Sequence, residues 1–244
     1  MLKSFSPFIM LLALMLYACK SEYNISGDSS IQALDGRMLY LKVFTNNDQL
    51  HNLDSCEVIH GKFNFMGMID STSMGELFMD NESIMPIVLE NANLNIKLNN
   101  LEQRVSGGSL NNKLYRYLEQ KSQLETQIVE LSNREAHLIL TGHDPRKVHK
   151  KLAGKADELY SKLEKLETDF IIENNRNILG TTFFMVLCSQ YPYPIMTSQI
   201  KRILKETSPA FHRLPFVQGY LRAAESNMQY LQLNHYSEET LGDY

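Results

Sequence analysis

The apolar period of this chain changes once, from two to 3.6, at Gly107-Gly108. Before that point Leu39, Leu41 and Val43 alternate with Tyr40 and Lys42, and Phe63 and Phe65 with Lys62, Asn64 and Met66. Leu94, Ile96 and Leu98 alternate in the same way with Asn93, Asn95, Lys97 and Asn99. Alternation of this kind marks strands with one buried and one wet face. Asp35-Gly36, Asn46-Asn47-Asp48, His60-Gly61 and Asn91-Ala92-Asn93 punctuate them as turns, and His60-Gly61 is placed to close a tight hairpin. Short strands at this spacing predict an antiparallel β-sandwich or partial barrel over residues 23–106.

After the glycine pair, Leu110, Leu114, Tyr117, Leu124, Ile128, Leu131 and Leu138 form one helical stripe, interrupted by Lys121 and Glu135. Thr141-Gly142 supplies a C-terminal stop, and Asp144-Pro145 an N-cap followed by proline at the first helical position. A second stripe then runs through Val148, Leu152, Ala156, Leu159, Leu163, Leu166 and Phe170. Two long stripes joined by a short loop predict an antiparallel helical hairpin. Such a hairpin packs on itself and its neighbours, or pairs with a partner, while Lys150-Lys151, Asp157-Glu158 and Glu164-Lys165 read as solvated faces. Three shorter helices are expected after Asn174-Asn175: Ile178–Gln190, Ser198–Glu206 and Pro215–Leu231. Tyr191-Pro192-Tyr193-Pro194 breaks the first two apart, and residues 232–244 read as a frayed polar tail. The fold class is α+β, with the helical region spanning 109–231 and the glycine pair read as a flexible joint.

At the N-terminus, Lys3 is followed by an apolar run from Phe8 to Leu16, too short for the roughly 20 residues of a membrane span. A cation, an apolar segment and a small residue before a cut describe a secretory signal. Leu16-Tyr17-Ala18-Cys19 resembles a bacterial lipoprotein signal, in which the cysteine is acylated and becomes the new N-terminus. The expectation is a signal over residues 1–18, a lipidated tether over 19–22 and a body held to a bilayer through Cys19. Two or three acyl chains, each methylene contributing about 0.8 kcal/mol, give a slowly released anchor. Lys20-Ser21-Glu22 carries a single acidic residue, a poor match to surface-export signals, so either side of an outer membrane stays open.

The stretch Leu53-Asp54-Ser55-Cys56-Glu57-Val58-Ile59-His60-Gly61-Lys62-Phe63-Asn64-Phe65-Met66-Gly67 resembles the pattern I-D-S-x-x-V-x-x-G-x-F-x-F-x-G. Pro86-Ile87-Val88-Leu89-Glu90-Asn91-Ala92-Asn93-Leu94-Asn95-Ile96 resembles P-x-x-L-E-N-x-x-I-x-I. Both patterns are those of the domain of unknown function found before thioredoxin-like domains in many Bacteroidota lipoproteins. The likeness covers about Tyr23 to Val105 and extends into the helices. It implies fold and lineage more than activity. In the thioredoxin-bearing relatives a helix like Pro215–Leu231 leads into the redox domain, so this chain resembles the accessory region without that enzyme.

The full chain has a net charge of −4, and loss of Lys3 with the signal makes it one unit more acidic. With no basic run it offers no footprint for nucleic acid. Cys56 and Cys188 remain beside Cys19; both sit at apolar positions and read as buried thiols, with a disulfide as the alternative, and no C-x-x-C is present. None of His51, His60, His137, His143, His149, His212 and His235 lies in H-E-x-x-H, and His143 and His149 only flank a helix start. No phosphate-binding G-x-x-x-x-G-K-[ST] accompanies Gly107-Gly108, and no G-x-S-x-G surrounds a serine. Catalytic residues, metal ligands and cofactors are therefore expected to be none. Asp70-Ser71-Thr72 fits a short bacterial O-glycosylation pattern with Ser71 as acceptor; Asn24-Ile25-Ser26 and Asn81-Glu82-Ser83 fit a eukaryotic pattern that an exported bacterial lipoprotein does not use.

The functional expectation is a non-enzymatic binding or scaffold lipoprotein of the cell envelope, with an unidentified protein partner and a link to thiol–disulfide systems. An oligosaccharide- or peptide-binding lipoprotein is one alternative; twelve tyrosines permit it, although tryptophan is absent. A thiol–disulfide oxidoreductase relative lacking its catalytic domain is the other.

Overall fold

The computed structural model describes residues 21–44 and 50–241, with side chains over 22–44 and 50–230. The signal segment, Cys19 and the Asn46-Asn47-Asp48 turn lie outside the described residues. The chain divides between Gly108 and Ser109 into a β unit and a helical unit.

Among the described residues the β unit has eight strands: β1 (Ser21–Ser29), β2 (Met38–Phe44), β3 (Leu50–Glu57), β4 (Lys62–Ile69), β5 (Ser73–Met79), β6 (Glu82–Leu89), β7 (Asn93–Leu98) and β8 (Gln103–Ser106). They form two four-stranded sheets, ordered β4-β1-β7-β8 and β3-β2-β5-β6, in a sandwich-like arrangement with no closed barrel. Ile25, Leu39, Leu41, Phe65, Leu94 and Ile96 are all under 2% exposed, so the alternating positions do form the core. One pairing departs from the antiparallel expectation: β1 runs antiparallel to β4 but parallel to β7. Periodicity carries no information on strand direction, which explains the miss. Alternation also fails in β5 and β6, where Met74-Gly75, Leu77-Phe78 and Ile87-Val88-Leu89 are buried in succession. A register shift at Leu77/Phe78 accounts for part of this. Pro86 is tolerated because β6 is an edge strand of its sheet.

The glycines and aromatics of the resemblance motif have a steric explanation. His60 (φ 51°) and Gly61 (φ 73°) make the left-handed pair of a two-residue hairpin turn, closed by reciprocal bonds between Ile59 and Lys62. A Cβ on Gly61 would lie 2.4 Å from the Ser29 carbonyl oxygen. In β4, which follows the turn directly, Phe63 pairs in register with Gly27 of β1 and Gly67 with Tyr23. A Cβ on Gly27 would sit 2.1 Å from the Phe63 ring, and one on Gly67 would sit 2.4 Å from the Tyr23 hydroxyl. Each ring occupies the space its glycine partner leaves. Tyr23 also donates to Asp54 at 3.4 Å, and burial first, then Asp54, push its phenol up to about 12.

Gly107 and Gly108 are both close-packed against the β unit. Gly107 has φ 103°, and a Cβ there would lie 2.2 Å from the Asn93 carbonyl oxygen. A Cβ on Gly108 would lie 2.1 Å from the Glu90 carboxylate.

The helical unit contains α1 (Ser109–Leu140), α2 (Pro145–Glu173), α3 (Ile178–Ser189), α4 (Ser198–Glu206), α5 (Pro209–His212) and α6 (Pro215–Leu241). Gly142 (φ 93°) follows α1, and Asp144 caps α2 by accepting from the Arg146 N–H at 2.8 Å. At 1.5 Å per residue the two long helices are each about 45 Å in length. The short α5 was not anticipated; Ser208 caps it ahead of Pro209. The segment expected to fray after Leu231 continues as helix to Leu241. No glycine or proline interrupts residues 220–241, and polarity alone does not stop a helix.

Candidate interaction surface on the helical hairpin

α1 and α2 meet along the two stripes read from the sequence. Leu114, Tyr117, Val148, Leu152, Leu159 and Phe170 are buried, whereas Leu124, Ile128, Leu131 and Leu138 are only half-buried. At the base Tyr117 stacks on Phe170 with ring centroids 4.1 Å apart, and Phe183 of α3 meets both rings edge-on. The later helices reach α2 near its C-terminal end. There Arg202 bonds Asp169 at 3.2 Å, and Gln199 bonds the Glu164 carbonyl at 3.4 Å. Their own core centres on Phe184, Ile200, Ile203, Phe211 and Val217, all at most 1% exposed.

The two polar interruptions of the α1 stripe are cross-helix contacts. Lys121 pairs with Glu167 of α2, and Glu135 bonds His149 at 3.1 Å. Sequence reasoning located these positions but not their partners, since pairing depends on the antiparallel register. The Lys121–Glu167 pair is mostly withdrawn from solvent (23% and 13% exposed), so its attraction is set against the cost of desolvating both charges. Burial, then the Glu167 and Glu125 carboxylates, push the Tyr117 phenol upward.

On one outer side a shallow open groove lies between Gln120, Gln123 and Gln127 of α1 and Lys162, Lys165 and Asp169 of α2. Its charged groups already have partners: Lys162 bonds Glu158, and Lys165 bonds Asp169. Glu158 also takes Lys155 at 3.0 Å, and these hydrogen bonds, that to Lys162 first, hold its carboxyl down at about 2. The groove contains no nucleophile, and its amides and paired charges suit a polar protein surface.

The remaining sequence-derived positions are scattered. Cys188 is buried, and burial pushes its thiol up to about 12. Cys56 is half-buried, not buried as expected, because it lies on β3 at a sheet edge; burial still raises its thiol to about 11. Both thiols are free. His51, His60, His137, His143 and His149 are exposed, and His212 bonds Thr207 at 3.0 Å. Among the described residues no group of three His, Cys, Asp or Glu side chains could hold a metal ion. Ser71 is exposed in the turn between β4 and β5.

Comparison with curated proteins gives no match. A family model matches residues 23–115, from the third residue of β1 through β8 and into the first turns of α1. This part of the chain therefore carries the domain described as a domain of unknown function, DUF4369.

Proposed function

We propose that the chain is an exported, membrane-anchored lipoprotein whose body is a non-enzymatic binding or scaffold module of the cell envelope. The observation that carries the reading is Leu16-Tyr17-Ala18-Cys19 immediately ahead of β1, which begins at Ser21. Two residues span at most about 7 Å, so an acyl group on Cys19 would hold the sandwich close to the bilayer. The hairpin, whose outer groove carries paired charges and amides, supplies surface for a protein partner. Its link to thiol–disulfide systems rests on the lineage resemblance.

The two remaining thiols speak against the oxidoreductase alternative. Thiols at about 11 and about 12 are almost wholly protonated near neutrality, and the thiolate is the reactive form. Insulin reduction by the purified chain is expected to show no turnover; turnover lost on changing Cys56 or Cys188 would restore that alternative.

The oligosaccharide alternative keeps one specific support. Asn64, Ser26, Asn95 and Ser106 lie in register across all four strands of one sheet, on its outer face. An uncharged row of amides and hydroxyls suits a neutral glycan. Binding on a glycan array that disappears in Asn64→Ala/Asn95→Ala would establish that reading.

For the lipoprotein reading, intact-mass measurement on membrane-extracted protein is expected to show a chain starting at Cys19 and carrying a diacylglyceryl mass. Cys19→Ser is expected to abolish it. An unmodified mature N-terminus at any other residue sinks the proposal.

A further inference from the structure

The acidic chain carries a concentrated cationic end. Within residues 134–155, around the turn of the hairpin, stand Arg134, Arg146, Lys147, Lys150, Lys151 and Lys155 against Glu135 and Asp144. Both carboxylates are engaged, Glu135 by His149 and Asp144 by the backbone N–H of Arg146. Lys155 pairs with Glu158. The other five cations are exposed and have no ion-pair partner among the described residues. Arg146, Lys147, Lys150 and Lys151 share one face of α2, opposite the buried Val148 and Leu152.

At the apex itself sits Leu140, the last residue of α1, 86% exposed. All five free cations lie within about 9 Å of the apex along the helix axes, by a rise of 1.5 Å per residue. That is close to the Debye length of about 8 Å at physiological salt, so they act together on a charged surface.

We propose that the hairpin apex docks end-on to an anionic lipid bilayer, with Leu140 entering the headgroup boundary and the surrounding arginines and lysines meeting lipid phosphates. Unpaired cations around an exposed apolar residue match the two components of interfacial binding, electrostatic attraction and apolar burial. The long stems of lysine and arginine let their charges stay at headgroup level while the leucine goes deeper. A second copy of the chain fits the feature less well. The end of two helices, each about 10 Å across, offers roughly 200 Å², far below the roughly 800 Å² per partner of a stable interface. A bilayer needs no such matched area. The contact does not depend on acylation of Cys19.

The chain contains no tryptophan, so Leu140→Trp places a single indole at the apex of the full-length protein. Its emission reports on the apex whether or not another part of the chain is anchored. With vesicles of phosphatidylglycerol and phosphatidylcholine it is expected to shift to the blue and to be quenched by brominated lipid. Phosphatidylcholine alone and high salt should both abolish the shift. Replacing Lys147, Lys150 or Lys151 by alanine in this background is expected to lower the inserted-to-free ratio about fivefold each. Circular dichroism of these surface variants confirms that they remain folded. Tyr160→Trp, midway along α2 and 55% exposed in the parent, is expected to give no shift. Unchanged Leu140→Trp emission on anionic vesicles, an equal shift on neutral ones or an equal shift at Tyr160→Trp would overturn the proposal. A concentration-dependent shift without lipid would do the same and identify self-association instead.

Discussion

Ile25, Leu39, Leu94 and Ile96 of the sandwich are withdrawn from water almost completely, whereas Leu124, Ile128 and Leu131 of the hairpin remain half-exposed along their seam. Both regions are built from regular apolar periods. They differ in how many neighbours a buried side chain has. In the sandwich a residue is enclosed by its own sheet and by the one opposite, at close packing. Along most of the hairpin a residue faces only one other helix. A seam of this kind accepts Lys121 and Glu135 when they find partners across it. A position such as Phe65 has no equivalent tolerance.

The largest expected difference follows directly. Phe65→Ala should destabilise the β unit by about 3–5 kcal/mol, the range for a fully buried phenylalanine. Urea unfolding checks the size, and native-state amide exchange assigns the loss to β1, β4 and β7. A loss below about 1 kcal/mol would mean the sandwich is as loosely packed as the hairpin.

A glycine comparison is sharper because the backbone conformation is similar at both sites. Gly107 (φ 103°) would place a Cβ 2.2 Å from a carbonyl oxygen, whereas Gly142 (φ 93°) has nothing within 4 Å. Gly107→Ala is expected to cost roughly 2–4 kcal/mol, combining left-handed strain with overpacking. Gly142→Ala should cost only the strain, about 1–2 kcal/mol. Equal midpoint shifts for the two variants would remove the steric account of the Gly107-Gly108 pair.

Within the seam, Ile128→Ala should cost about 1–2 kcal/mol, less than a fully buried isoleucine, because part of its surface already meets water. Loss of helical signal at lower urea, with the sandwich amides still protected, is the expected reading. The smallest effect concerns Lys121. Lys121→Met leaves the Glu167 carboxylate partly buried without that partner and should cost about 1 kcal/mol, while Lys121→Met/Glu167→Leu should recover most of it. If the double variant is clearly less stable than the parent, the pair stabilises the hairpin outright.

Much of this fold was legible from the residues. Gly61, Phe63 and Gly67 stood out as a pattern, and their spacing placed β4 and its turn. What each glycine faces across the sheet could not be read, because Gly27 and Tyr23 lie some 35 to 45 residues away along the chain. The parallel β1–β7 pair and the continuous burial in β6 were hidden for the same reason. On the hairpin both stripes and both caps were readable, since caps and apolar steps are local. The cations near its apex read only as a solvated face. Their concentration emerges when the loop brings Arg134 of α1 beside the first turns of α2, with Leu140 exposed between them.

By itself the sequence determined the change of period at Gly107-Gly108, the strands with regular alternation and the helix ends. Each depends on residues within a turn or two of one another, where backbone sterics and capping act. The tertiary structure alone decided strand direction and order, the register that joins Lys121 to Glu167, the half-exposed state of Cys56 and the gathering of charge at the apex. These depend on which distant segments meet, and the free energy of those meetings comes from long-range burial that no local pattern contains.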